Sequence, residues 1–110
     1  MGAIFVQNTG GGGVKDYTLA RDSRGAYNAN TTNIYTMQKD GFVVGAYGGH
    51  NSSNKITVYL NGMEVGSSTA GRLISDGITL YMQLQAGDTI SVKGSSNSWT
   101  GAHFFFFEEA

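Results

Sequence analysis

The residues in this sequence that could carry out chemistry are few. His50 and His103 are the only histidines, and eight Asp and Glu residues are the only acids. Neither histidine sits in a His-Glu-x-x-His segment or a comparable ligand spacing, so no dedicated zinc site is expected. Cysteine is absent, which excludes a disulfide framework, a thiolate metal site and a nucleophilic thiol. A serine nucleophile would need a Gly-x-Ser-x-Gly elbow, and none occurs. The tract Gly10 to Gly13 lacks the Lys-Ser or Lys-Thr that completes a phosphate loop, and it reads as a hinge or linker. Asp22 and Asp76-Gly77 do not fit the alternating acids of a calcium loop. Sugar hydrolysis by paired carboxylates depends on a spatial separation. However, Asp40, Asp76 and Asp88 sit in turn-like stretches, where Asp bonds nearby backbone N–H groups. The chain is therefore expected to be no enzyme and to need no cofactor or metal.

Binding chemistry is better represented. Tyr47-Gly48-Gly49-His50-Asn51-Ser52-Ser53-Asn54 and Gly94-Ser95-Ser96-Asn97-Ser98-Trp99 each combine an aromatic ring with amides and hydroxyls. Sugars present apolar faces ringed by hydroxyls, so a stacking ring beside Asn side chains suits them. The expected ligand-binding residues are Tyr47, His50, Asn51, Asn97 and Trp99. A purely structural account stands beside this one, because Asn, Ser and Gly are also good turn residues and a Trp suits a core. Asn30-Thr31-Thr32 and Asn51-Ser52-Ser53 fit the glycosylation pattern, which matters only in a secreted eukaryotic protein.

The elements that must position these residues are strands. Gly, Ser, Thr and Asn make up 45 of the 110 residues, and proline is absent. These small polar residues cluster between apolar runs, and hydrophobic residues still reach 40%, which argues against disorder. Lys55 to Leu60 alternates with Ile56, Val58 and Leu60 on one face. Asn61-Gly62 follows, a strong hairpin signal, because both central residues of a type I′ turn need positive φ. Ile78 to Leu84 and Thr89 to Lys93 alternate likewise, joined by Gln85-Ala86-Gly87-Asp88. Further strands are expected at Ala3 to Gln7, Asp16 to Ala20, Thr31 to Met37, Gly41 to Tyr47, from Met63 to Val65, and at about Ala102 to Glu108. Arg21 to Gly25 reads as a turn-rich charged stretch. No window carries a helical period. The expectation is a single all-β domain over residues 1–110, a sandwich or barrel of about eight to ten antiparallel strands, with residues 1–13 as a flexible N-terminal segment.

Charge and hydropathy narrow the partners. Seven Lys and Arg are scattered among the eight acids for a net charge of -1, so no basic patch awaits nucleic acid. No run approaches the roughly 18 apolar residues that span a membrane, and no membrane insertion is expected. Met1 to Phe5 lack the positive start and long apolar stretch of a signal peptide. Met1 is either a native start or the first residue of an excised domain.

Phe104-Phe105-Phe106-Phe107 is the most informative run. In a strand Phe104 and Phe106 share one face, and Phe105 and Phe107 the other. One pair fills the core. The other, at about 150–250 Å² per ring, adds roughly 300–500 Å² to an apolar patch on a lone monomer. An oligomer interface that includes one of these pairs is the expected cover.

Two stretches carry a family resemblance. Leu80 to Val92 (LYMQLQAGDTISV), followed by Trp99-Thr100-Gly101-Ala102-His103-Phe104 and the aromatic strand, resembles the end of the globular heads of complement one-q and tumour necrosis factor-like proteins. Ala26-Tyr27 and Ile34 to Val44 (IYTMQKDGFVV) resemble the early strands of that family and of related phage tail-fibre tip domains. The resemblance covers about two-thirds of the chain and departs from the family in lacking proline. It implies a jelly-roll β-sandwich forming a homotrimer, with the terminal strand near the threefold axis. The Gly-, Ser- and Asn-rich loops and low charge look more like a bacteriophage appendage than an animal ligand. The resulting expectation is a non-catalytic receptor-binding tip on a virion's tail fibre. It acts outside the cell and attaches to a host cell-surface glycan or protein receptor, with the remainder of the fibre as its other partner. The rival expectations are a structural trimerisation or decoration module without a ligand, and a secreted trimeric ligand that binds protein.

Overall fold

The computed structural model describes residues 4–7, 14–27, 30–49, 55–68, 78–94 and 100–110. Among them nine strands form in chain order. They are β1 (Ile4–Gln7), β2 (Val14–Tyr27), β3 (Thr32–Thr36), β4 (Gly41–Gly49), β5 (Ile56–Leu60), β6 (Met63–Ser68), β7 (Ile78–Leu84), β8 (Thr89–Lys93) and β9 (Thr100–Glu109). They build two antiparallel sheets, ordered β1-β2-β9-β4-β7 and β3-β8-β5-β6. The expected all-β sandwich is what forms. No helix occurs among the described residues.

Period-two alternation explains which side chains meet between the sheets. The larger sheet contributes Val43, Tyr47, Ala102, Phe104 and Phe106, and the smaller contributes Ile34, Ile56, Val58, Ile90 and Val92. Phe104, Phe106, Ile56, Val58, Ile90 and Val92 are fully buried, and each such side chain is worth about 1.5–3 kcal/mol. Gly45 of β4 leaves the space that the Phe104 ring occupies, since a Cβ there would stand 2.7 Å from that ring.

One end of the sandwich is closed by short turns. Asn61 (φ 51°) and Gly62 (φ 84°) both adopt positive φ between β5 and β6, as their sequence predicts. The Asn61 side chain donates to Asp88 Oδ1 at 2.9 Å and accepts from the Thr89 N–H at 2.8 Å. Asp88 Oδ2 accepts the Gln85 N–H at 2.7 Å, and Asp40 Oδ1 accepts the Ala86 N–H at 2.9 Å. The hydrogen bond from the Gln85 backbone, and then that from Asn61, hold the Asp88 carboxyl below its ordinary range. Three turns are thereby bound to one another.

One expectation needs correction. Arg21 to Gly25 lie inside β2, not in a turn, because a register shift between Leu19 and Arg21 lets β2 follow β9 along its whole length. Of the 1–13 segment, Ile4–Gln7 form a strand paired with β2; the rest, including Gly10 to Gly13, lies outside the described residues.

Candidate functional site

At the other end of the sandwich lie the last residues of β2, β4, β6 and β8 and the first residues of β3, β5, β7 and β9. The register sets two of these strand ends side by side. Gly49, the last residue of β4, pairs directly with Thr100, the first of β9. The segment that begins at residue 50 and the one that finishes at residue 99 thus leave the sheet from adjacent positions. These are the two polar–aromatic segments singled out in the sequence. His50, Asn51, Asn97 and Trp99 themselves lie outside the described residues.

Tyr47 is described, and it is not a ligand-facing residue. Val43, Gly45 and Tyr47 occupy alternate positions of β4, so Tyr47 points inward with Val43 and is 3% exposed. Its ring meets Phe104 edge-on at 6.4 Å, and its hydroxyl lies against Gly66 of β6. Burial raises the pKa of that hydroxyl. The aromatic of the first segment therefore spans the core, and its ring offers no surface to a sugar.

The four phenylalanines divide as alternation requires. Phe104 and Phe106 are core residues, so the expected interface role does not apply to that pair. Phe105 and Phe107 point outward, but Phe107 is only 8% exposed. Phe42 of β4 stacks on it at 5.1 Å, and Tyr17 of β2 and Tyr81 of β7 close on Phe42 at 5.2 and 5.8 Å. The aromatic surface is thus a band across the sheet, not two bare rings. Tyr17, Leu19, Val44 and Phe105 are half-buried in this band, and Tyr81 is 58% exposed. Sequence reasoning missed Tyr17, Phe42 and Tyr81 as outward partners. The available signal was Phe42-Val43-Val44, a second run apolar on both faces.

A polar pair borders the band. His103 Nε2 stands 2.8 Å from Asp22 Oδ1, and the His103 ring packs 4.4 Å from Phe105. The residue opposite His103 on β2 is Arg24. Between the sheets lies a buried carboxylate, Glu108, whose Oε2 accepts the Tyr35 hydroxyl at 2.8 Å and the Gln38 N–H at 2.6 Å. Burial first, then the bond to Glu108, pushes the Tyr35 hydroxyl up to about 12. This pair joins the two sheets. Among the described residues, no group of three or more His, Cys, Asp or Glu is placed to hold a metal ion.

No protein-family model matches the chain, and no curated protein sequence does either. Among solved structures, it is similar to one described as carbohydrate-binding module CBM36 in complex with calcium and xylotriose. The identity is 18% and the TM-score 0.28, over 100% of this chain and 91% of that one. At that score the likeness is too slight to transfer either a topology or a ligand.

Proposed function

We propose that this chain is a non-catalytic recognition module: a jelly-roll head that assembles as a homotrimer and attaches to a cell-surface glycan, as the tip of a phage tail fibre. One observation carries the reading. Both polar–aromatic segments spring from neighbouring positions, Gly49 and Thr100, at one end of a sheet whose outer face is an aromatic band. Loops held at the end of a rigid sandwich suit recognition, and an aromatic face suits association between subunits. The insertion of β9 between β2 and β4 fits the long return connections of a jelly roll. Three copies of a weak site supply avidity without new contacts.

The buried Tyr47 favours a second reading, a structural trimerisation module without a ligand. The test uses the whole chain. Sedimentation should report a trimer, and a glycan array should retain it. Trp99→Ala should abolish glycan or cell binding while leaving both the trimer and the melting temperature unchanged. A Trp99→Ala protein that is intact and still binds removes the glycan site, one that melts makes Trp99 core, and a monomeric wild type removes the trimer.

A further inference from the structure

The larger sheet ends on β7, and this edge is unlike the others. β7 pairs with β4 over all seven of its residues without a register shift. Among the described residues, no strand pairs with its other side. Natural sheets blunt such an edge with charge, proline, a bulge or a very short strand. β1 has four residues, and β3 shifts register between Asn33 and Tyr35. β6 is bulged at Val65, which the register skips, and carries Glu64. β7 has none of these devices: Ile78-Thr79-Leu80-Tyr81-Met82-Gln83-Leu84 holds neither a charge nor a proline.

Gly66 of β6, the edge strand of the smaller sheet, lies against Tyr47 of β4, the strand that β7 flanks. Ile78 is 42% exposed and Tyr81 58%, while Leu80 and Met82 are only partly buried against the core.

We infer that β7 pairs antiparallel with β7 of a second copy of this chain, about a twofold axis through Tyr81 and perpendicular to the sheet. The strand is symmetric in character about that residue, and a twofold interface requires such self-complementarity. In this register Ile78 faces the partner's Leu84, Leu80 faces the partner's Met82, and Thr79 faces the partner's Gln83. Tyr81 faces its own copy. Opposite residues of antiparallel strands share a face, so apolar meets apolar inside and polar meets polar outside. No like charges oppose each other. A foreign peptide could use the same backbone groups, but it would not require this symmetry. The pairing is made through the backbone edge of the sheet and, of the aromatic band, engages only Tyr81, so it is distinct from the face-to-face contact of the proposed trimer.

The chain contains no cysteine, which makes the register testable. Directly opposite Cα atoms in an antiparallel pair are about 4.5–5.5 Å apart, within the roughly 4.4–6.8 Å that a disulfide spans. Mild oxidation of Tyr81→Cys should give a covalent dimer. Gln83→Cys, about 13 Å from its own copy in this register, should stay monomeric on denaturing gels. The Tyr81→Cys dimer should also form in a Phe105→Lys background, where face-to-face association is removed. In the same Phe105→Lys background, sedimentation should show a concentration-dependent doubling of mass from monomer to dimer. T79K/Q83K, with like charges facing across the axis, should lose the doubling, and mixing it with T79E/Q83E should restore it. Circular dichroism confirms that each variant is folded. The inference is overturned by equal crosslinking at both positions, by no crosslinking at Tyr81→Cys, by doubling that ignores the lysines, or by a mixture that does not recover it.

Discussion

The two sheets turn opposite characters to the outside. The five-stranded sheet shows Tyr17, Leu19, Phe42, Val44, Tyr81, Phe105 and Phe107. The outer face of the four-stranded sheet shows Asn33, Thr36, Thr57, Tyr59, Glu64, Thr89, Ser91 and Lys93. On the polar face, side chains bond across strands: Ser91 Oγ donates to Asn33 Oδ1 at 2.7 Å, and the Thr36 and Thr89 hydroxyls meet at 2.7 Å. Such a face is at rest in water. The aromatic face is not, because its rings cover one another only in part. Most inward residues are apolar in both sheets, Glu108 of β9 being a charged exception, so the core does little to distinguish them. The outward residues are what set the two sheets apart.

The largest effect should separate the inner and outer sides of β9. Phe106→Ala removes a fully buried ring and should cost about 3–5 kcal/mol, read from the urea midpoint. Phe105→Ala, on the half-buried outer side, should cost no more than about half as much. Equal costs would mean that both sides act as core. Next comes association. Phe105→Lys should abolish trimer formation in sedimentation with the fold intact, whereas Tyr59→Lys, on the polar face, should leave the trimer unchanged. Loss in both, or in neither, would erase the distinction between the faces.

The smallest effect concerns Asp88, just before β8 of the polar sheet. Its carboxyl pKa is lowered in the folded chain, so its contribution is full above the ordinary Asp range. That contribution is lost as pH falls through the lowered value. Asp88→Asn should therefore flatten the acid limb of melting temperature against pH by a few degrees at most. An unchanged acid limb would show that the turn-to-turn bonds contribute nothing.

Alternation made much of this legible from sequence. The inward faces of Lys55 to Leu60 and Thr89 to Lys93 follow from it, and Asn61-Gly62 marks its turn by conformational need. Three things were not legible. Phe104 to Phe107 and Phe42 to Val44 are apolar on both sides, so period two cannot say which side is inside. Arg21 to Gly25 look like a turn by composition, and only their pairing with β9 makes them a strand. Strand partnership across the chain, such as Gly49 with Thr100, leaves no local trace at all. The candidate site was legible as residue chemistry, but Tyr47 was misassigned because the direction of its ring depends on the core around it.

The central place of β9 has a consequence for how the molecule is made. β9 follows the other eight strands in sequence, yet it lies between β2 and β4 in the middle of the larger sheet. While a ribosome is still adding residues before Thr100, β2 and β4 have no common neighbour, and Phe104 and Phe106 are missing from the core. The domain must therefore close after its last strand emerges, through contacts between residues far apart in sequence, a topology that folds slowly. Until then β2 and β4 are open edges, and nascent chains crowded on one message are at their most vulnerable to sticking together.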